Sequence, residues 1–239
     1  MEVTYNIKAI IINRYDFREK DSKVILYSDT EGKLELVARG TKNIKSKLVS
    51  HIEPITLANI MVVKGKQYDY IGSVIGENYF SNIKKSFNRL EIAGKFLSFY
   101  NKEIKFGETL DSKDYFNLLL SFLNLINDKN LKVNLNLIYS IFLYKILIIF
   151  GLKQELYICN NCKNKLTPKN NKIIFNKGGI VCPKCSHKFK ESQFISDETI
   201  KLLRLSEKVE VKKVNILKIR DNIINEFESI INKIYIYNK

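Results

Sequence analysis

The sequence predicts an α+β protein, with a small β-barrel first and an α-helical domain after it that carries a cysteine-bearing insert. Three observations predict this. Five short β-patterned segments crowd the first 80 residues, the apolar period changes to three and four after Gly76, and two Cys-x2-Cys pairs interrupt the helical pattern. The expected boundaries are 1–80 for the barrel, 81–155 with 192–239 for the helical domain, and 156–191 for the insert.

The five strand segments are 3–13, 24–28, 34–39, 55–64 and 67–76. The first is rich in Ile and alternates only in part. Asp29-Thr30-Glu31-Gly32 reads as a hairpin turn between the second and third, and Gly65-Lys66 as one between the fourth and fifth. A basic connection, 40–54, separates the third from the fourth. Five such strands with a long third connection suit a closed Greek-key barrel of the OB-fold type; an SH3-like barrel has the same strand count.

Helical periods follow. Phe87, Leu90, Gly94 and Leu97, with Ala93, Phe96 and Tyr100, mark one amphipathic helix. Asp111 or Ser112 is placed to cap a second, apolar at Tyr115, Leu118, Leu119, Phe122, Leu123 and Ile126. A third, 135–150, is apolar nearly all round and should be buried, with Gly151 placed to end it. Ser196 is a cap for 197–205, with acids in the first turn. A last helix fits 218–235, with Ile219, Ile223, Phe227, Ile230, Ile231 and Ile234 on one side.

Charge narrows the function. The chain has 40 Lys+Arg against 25 Asp+Glu, a net charge of +15, which points to an acidic partner such as nucleic acid. The basic residues are 34 Lys and 6 Arg, and Ile and Asn are abundant too. All three of Lys, Ile and Asn share AT-rich codons, so position carries more than the total. Residues 159–190 hold 8 basic residues and no acid. A second patch runs from Arg39 through Lys42, Lys45 and Lys47 to Lys64 and Lys66, with Glu53 its one acid.

Cys159-x2-Cys162 and Cys182-x2-Cys185, separated by 19 residues, have the spacing of a four-thiolate zinc site. Each pair suits one tight knuckle. Four thiolates leave no open position for water, so the expected zinc is structural, in a four-cysteine zinc ribbon. His187, two residues past the last Cys, reads as solvated or outside the ligand set, and His51 as a loop residue. No Gly-x4-Gly-Lys-[Ser/Thr] loop, Gly-x-Gly-x-x-Gly turn or Gly-x-Ser-x-Gly elbow occurs. Asp16, Glu19 and Asp21 are interleaved with Arg14, Arg18, Lys20 and Lys23, which reads as a solvated charged loop rather than a Mg²⁺ site. The sequence thus predicts a binding protein, not an enzyme.

An OB barrel binds single strands across its second and third strands and the loops beside them. Here Lys64 and Lys66 lie in one such loop, Lys42, Lys45 and Lys47 follow the third strand, and Arg39 ends it. Tyr27, Tyr68 and Tyr70 are available to stack on bases or to pack the sheet.

Leu36-Val37-Ala38-Arg39-Gly40-Thr41-Lys42-Asn43-Ile44-Lys45-Ser46 resembles the Ala-Arg-Gly-x-Arg/Lys-x-x-x-Ser signature of the bacterial RecO family. Glu53-Pro54 before an apolar strand, Phe150-Gly151-Leu152 leading into the first Cys pair, and Gly178-Gly179 before the second fit the same family. The resemblance runs from roughly residue 3 to residue 205. It carries Arg39, Lys42 and Ser46 onto the family motif. It implies a recombination mediator in DNA repair that makes and breaks no bond. Such a protein binds single- and double-stranded DNA and anneals complementary strands. It acts with RecR, contacts single-stranded-DNA-binding protein, and so helps RecA load. The main rival reading that the residues allow is a zinc-ribbon OB protein binding structured RNA in translation or ribosome assembly; a third is a zinc-ribbon scaffold that binds only proteins. The expected location is the cytoplasm, at the nucleoid, with no membrane segment: the longest apolar run, 137–152, is broken by Lys145.

Overall fold

The computed structural model describes residues 3–43, 46, 48–107 and 112–238. The elements run β1 (Thr4–Phe17), β2 (Asp21–Ser28), β3 (Gly32–Ala38), β4 (Thr56–Val63) and β5 (Tyr70–Asn78), then α1 (Ser81–Lys84), α2 (Phe87–Glu103), α3 (Ser112–Asn127) and α4 (Leu135–Ile149). After these come β6 (Lys172–Ile174), β7 (Gly179–Val181), α5 (Pro183–Ser186), β8 (Gln193–Phe194), α6 (Asp197–Lys208), α7 (Val211–Val214) and α8 (Asp221–Tyr237). The chain divides into two compact units, Met1–Leu131 and Lys132–Lys239. Helices α1 to α3 therefore belong with the barrel, and α4 and the later helices with the cysteine-bearing segment.

The first unit is a closed barrel in the order β1-β2-β3-β5-β4, with β1 paired to β4 and β3 meeting β5 in parallel at Val37 and Tyr70. That circuit is the OB topology. The length of β1 makes it possible. Its first half, Thr4 to Ile11, pairs with β4, and its second half, Ala9 to Phe17, pairs with β2. A register shift between Ile11 and Asn13 marks the bulge that bends the strand from one partner to the other. The barrel interior holds Ile7, Ala9, Ile11, Val24, Leu26, Leu36, Ala38, Ile60 and Val62, alternating along each strand. Ile10, Ile12, Ile25 and Tyr27 face the other way and are buried as well, because α2 and α3 cover that side of β1 and β2. This two-sided burial is why the first strand alternates only in part.

The α2 period is displaced from the expected face. Ile92, Ala93, Phe96, Leu97 and Tyr100 are buried, whereas Phe87 and Leu90 face solvent. Of the two caps weighed for α3, Asp111 lies outside the described residues, and the helix begins at Ser112.

In the second unit α4 is the core helix, buried at Leu137, Ile138, Ile141, Phe142, Tyr144 and Leu147 among others. Its end follows from Gly151, which sits at φ +82. Gly151 N–H bonds the Ile148 carbonyl at 3.0 Å and Leu152 N–H the Leu147 carbonyl at 2.9 Å, a Schellman closure. At the start of α6 the Ser196 hydroxyl accepts the Thr199 N–H at 3.2 Å. Glu226 of α8 completes this cap: its carboxylate accepts the Ser196 N–H at 2.8 Å, the Ser196 hydroxyl at 2.5 Å and the Thr199 hydroxyl at 2.7 Å. The last helix thus holds the point where the chain leaves the cysteine-bearing segment. Glu226→Ala should cost about 2 kcal/mol, since it strips charge-assisted hydrogen bonds from part-buried donors. Hydrogen exchange in the first turn of α6 measures it; unchanged protection would show that the cap stands without α8.

Candidate nucleic-acid interface and metal centre

The barrel's basic residues are positioned by its register. Lys23 of β2 lies opposite Val37 of β3, and Val37 lies opposite Tyr70 of β5, so one line crosses three strands. Along it the Lys23 Nζ stands 4.9 Å from the Phe17 ring centre and 5.1 Å from that of Tyr68. The Arg18 guanidinium is 4.9 Å from Phe17 and 5.8 Å from Tyr68, and the Arg39 guanidinium lies 3.7 Å over Tyr70. Three cations and three aromatic rings therefore form one interleaved surface, built from β2, the end of β3, the β1–β2 turn and the approach to β5. Such contacts hold the exposed Arg18 and Arg39 over a π-face with their charge available to solvent, whereas Lys23 is half-buried and paired with Glu35.

Local chemistry fixes these positions. Gly65 allows the β4–β5 connection, because a Cβ there would collide with the Tyr68 carbonyl and the Tyr70 ring. The segment after Arg39 is tied to the β1–β2 turn. Gly40 N–H bonds Asp21 Oδ1 at 2.9 Å, the Thr41 and Ser22 hydroxyls meet at 2.7 Å, and Lys42 N–H bonds the Lys20 carbonyl at 3.2 Å. Buried Thr41 anchors the turn and leaves Arg39 and Lys42 exposed on either side of it.

Glu35, Asp16 and Asp21 of this region have partners, whereas Glu19 is exposed. Glu35 accepts Lys23 Nζ at 2.6 Å and also the Tyr15 hydroxyl. Burial works against the Glu35 carboxylate, but the bonds from Lys23 and Tyr15 outweigh it and hold its pKa below the ordinary range. Burial and the Glu35 carboxylate push the Tyr15 phenol up to about 12. Asp16 pairs with Lys42 at 3.3 Å, so the Asp16, Glu19 and Asp21 run does not converge on one point.

Of the residues expected at this surface, Arg39 and Lys42 lie on it, Lys66 is exposed in the β4–β5 connection, and Lys64 stands 5.6 Å from the Tyr5 ring. Lys45 and Lys47 lie outside the described residues. Tyr68 and Tyr70 belong to the surface, but Tyr27 does not. It is fully buried with its ring edge-on to Tyr100 and Tyr115, and so packs the sheet against α2 and α3. Sequence reasoning missed Arg18 and Lys23, which blended into a run of mixed charge; their neighbours Phe17 and Tyr68 were the available signal.

In the second unit the two Cys pairs meet. The Sγ atoms of Cys159, Cys162, Cys182 and Cys185 all lie within 4.8 Å of one another, and Cys162 and Cys182 are 3.9 Å apart. A metal ion held tetrahedrally at ~2.3 Å by four sulfurs keeps them ~3.8 Å apart, so the four residues fit one ion. Cys159 and Cys185 are buried, Cys182 is half-buried and Cys162 is exposed. Burial raises the Cys159 thiol, but backbone N–H groups of Cys162, Cys182 and Asn161 aimed at its sulfur outweigh this and draw it down to about 6. Burial and the neighbouring thiols push Cys182 up to about 11. Asn161 Nδ2 lies 3.2 Å from Cys185 Sγ and bridges the two knuckles. Among the described residues this is the one cluster of three or more His, Cys, Asp or Glu side chains able to hold a metal. His187 is exposed outside it, and His51 Nδ1 meets the Tyr79 hydroxyl at 2.7 Å.

The cysteine-bearing segment is secured at its start and at its middle. Arg204 Nε bonds the Leu156 carbonyl at 3.0 Å and its guanidinium lies 4.6 Å from the Tyr157 ring. Tyr237 stacks on Phe175 at 5.3 Å. No helix among the described residues is long and apolar enough to cross a membrane.

Comparison with known proteins agrees with this architecture. Residues 1–80 match the family model for the recombination protein O N terminal region, and residues 105–238 that for the recombination protein O C terminal region. The DNA repair protein RecO of Desulforamulus reducens is 26% identical over 227 residues, covering 95% of this chain and 86% of the relative. That of Dehalococcoides mccartyi strain CBDB1 is 29% identical over 227 residues, covering 94% and 86%. That of Caldanaerobacter subterraneus subsp. tengcongensis is 27% identical over 230 residues, covering 94% and 88%. With a barrel, a four-cysteine cluster and both family regions in order along it, the chain belongs to the RecO family.

Proposed function

We propose that this chain is a DNA-binding recombination mediator in DNA repair. It binds single- and double-stranded DNA, anneals complementary strands, and acts with RecR and single-stranded-DNA-binding protein to help RecA load. The family and the names of its relatives support the DNA-repair role. The observation that carries DNA binding is the surface where Arg18, Lys23 and Arg39 interleave with Phe17, Tyr68 and Tyr70. Cations neutralise phosphates, and aromatic faces accept any base, so the contact is independent of sequence. Lys42, Lys45, Lys47, Lys64 and Lys66 extend the basic surface. Cys159, Cys162, Cys182 and Cys185 hold one structural zinc, which fixes the ribbon and takes no part in a reaction. The partners follow from the family resemblance.

The test is binding to single-stranded DNA across a salt series, with duplex DNA and structured RNA as competitors. The triple variant Arg18→Ala, Lys23→Ala, Arg39→Ala should bind more weakly and show a salt slope shallower by up to ~2, at ~0.7 per phosphate contact. An unchanged slope would take the strand off this face, and tighter binding to RNA than to either DNA would favour the translational reading.

A further inference from the structure

We infer that the metal-binding ribbon is a second nucleic-acid site, which holds the phosphate backbone of one strand while the barrel holds another. The inference rests on the nucleic-acid reading of the barrel and adds an independent surface on the other unit.

The ribbon's charge is unusual in amount and in having no acid to offset it. Residues 159–190 carry eight lysines and no acid. All but the half-buried Lys172 are exposed, and none of the eight is in an ion pair among the described residues. A simpler account is charge balance, since a divalent ion on four thiolates carries −2 overall. Three lysines suffice for that. Lys163 directly follows Cys162, Lys184 directly precedes Cys185, and Lys188 N–H bonds the Cys185 carbonyl at 3.1 Å. The remaining five exceed what the centre needs.

Among these, Lys177 Nζ stands 5.2 Å from the ring centre of half-buried Phe189. This repeats on the ribbon the cation-over-ring pairing of the barrel. The two acids that flank the stretch in sequence are hydrogen-bonded: Glu155 accepts the Tyr157 and Ile158 N–H groups, and Glu191 accepts from Asn176. Exposed ammonium groups with no ion-pair partner attract a phosphate backbone whatever its base sequence.

A bridging assay on the full-length, zinc-loaded protein tests the inference. One oligonucleotide is fixed to beads, and a labelled, non-complementary one is offered in solution. Wild type should retain the labelled strand on the beads. The ribbon variant Lys165→Gln, Lys169→Gln, Lys177→Gln, Lys190→Gln should still dock on the bead-bound strand but retain about tenfold less labelled strand, because a second tethered site is lost. The matching set of Lys→Arg changes should restore retention, and equal zinc content shows that each variant is folded. Retention by the Gln variant equal to wild type overturns the inference and leaves the lysines a solvated face. Should the barrel triple variant dock on the beads like wild type while the ribbon variant does not, the barrel reading fails and the ribbon assignment stands. If wild type docks on no oligonucleotide, both fail.

Discussion

Replacing Cys185 with Ser, or stripping the protein with a strong chelator, should melt the ribbon and leave the barrel intact. The segment from Glu155 to Phe194 has three short strands, β6, β7 and β8, and an interior made mainly of Ile173, Ile174, Phe175, Ile180 and Val181. That interior is too small to hold so many residues in place alone, whereas a structural zinc on cysteine ligands supplies about 10–16 kcal/mol at neutral pH. Loss of one thiolate removes most of that. Metal analysis should give one zinc per wild-type chain and little for the variant. Hydrogen exchange should rise steeply across the ribbon and stay unchanged in β1 to β5, which lie in the other unit. A native chain without zinc, whose four thiols react freely while the ribbon amides remain protected, would defeat the assignment.

Annealing of complementary single strands should proceed one to two orders of magnitude faster with the protein at modest salt, in line with electrostatic gains of about 10–10³ in association rate. No nucleotide should be needed. The sequence has no phosphate-binding loop, and strand pairing is downhill once backbone repulsion is lowered. A fluorescence-quench assay with and without ATP reads it, and the gain should shrink as salt rises. The control is a charge-matched chain with its cysteines replaced, since any unfolded polycation gives some acceleration. A rate equal to the spontaneous one, or strict dependence on ATP, would remove annealing from the proposed function.

Much of this was legible in the residues because it depends on local chemistry. The hairpin ending at Gly32, the stop at Gly151, the cap at Ser196 and the two Cys knuckles each follow from a backbone angle or a side-chain donor set by one or two neighbours. The β1 strand was less legible. Its last stretch, Asn13 to Phe17, is mostly polar because it reaches past the covered part of the barrel, so an apolar period could not reveal it. The same extension places Phe17 beside Tyr68, far away along the chain, at 5.4 Å. A charge count of the β1–β2 turn could not find the cations gathered there.

Composition, spacing and motif alone determined the α+β class, the five barrel strands, the cysteine cluster and the family. Tertiary structure alone decided between barrel types, through β1 meeting β4 and β3 meeting β5. It also decided which polar groups serve the interior. Lys33 is 3% exposed, its Nζ bonding the carbonyls of Asn101 at 2.5 Å and Ile104 at 3.1 Å at the C-terminal end of α2, with burial lowering its pKa. Within the strand pattern it is one more surface lysine. Only the helix end folded over it, with unpaired carbonyls and the negative pole of the helix dipole, makes a buried ammonium favourable there. Local patterns record what a residue prefers, whereas burial and partner are set by segments distant in the chain.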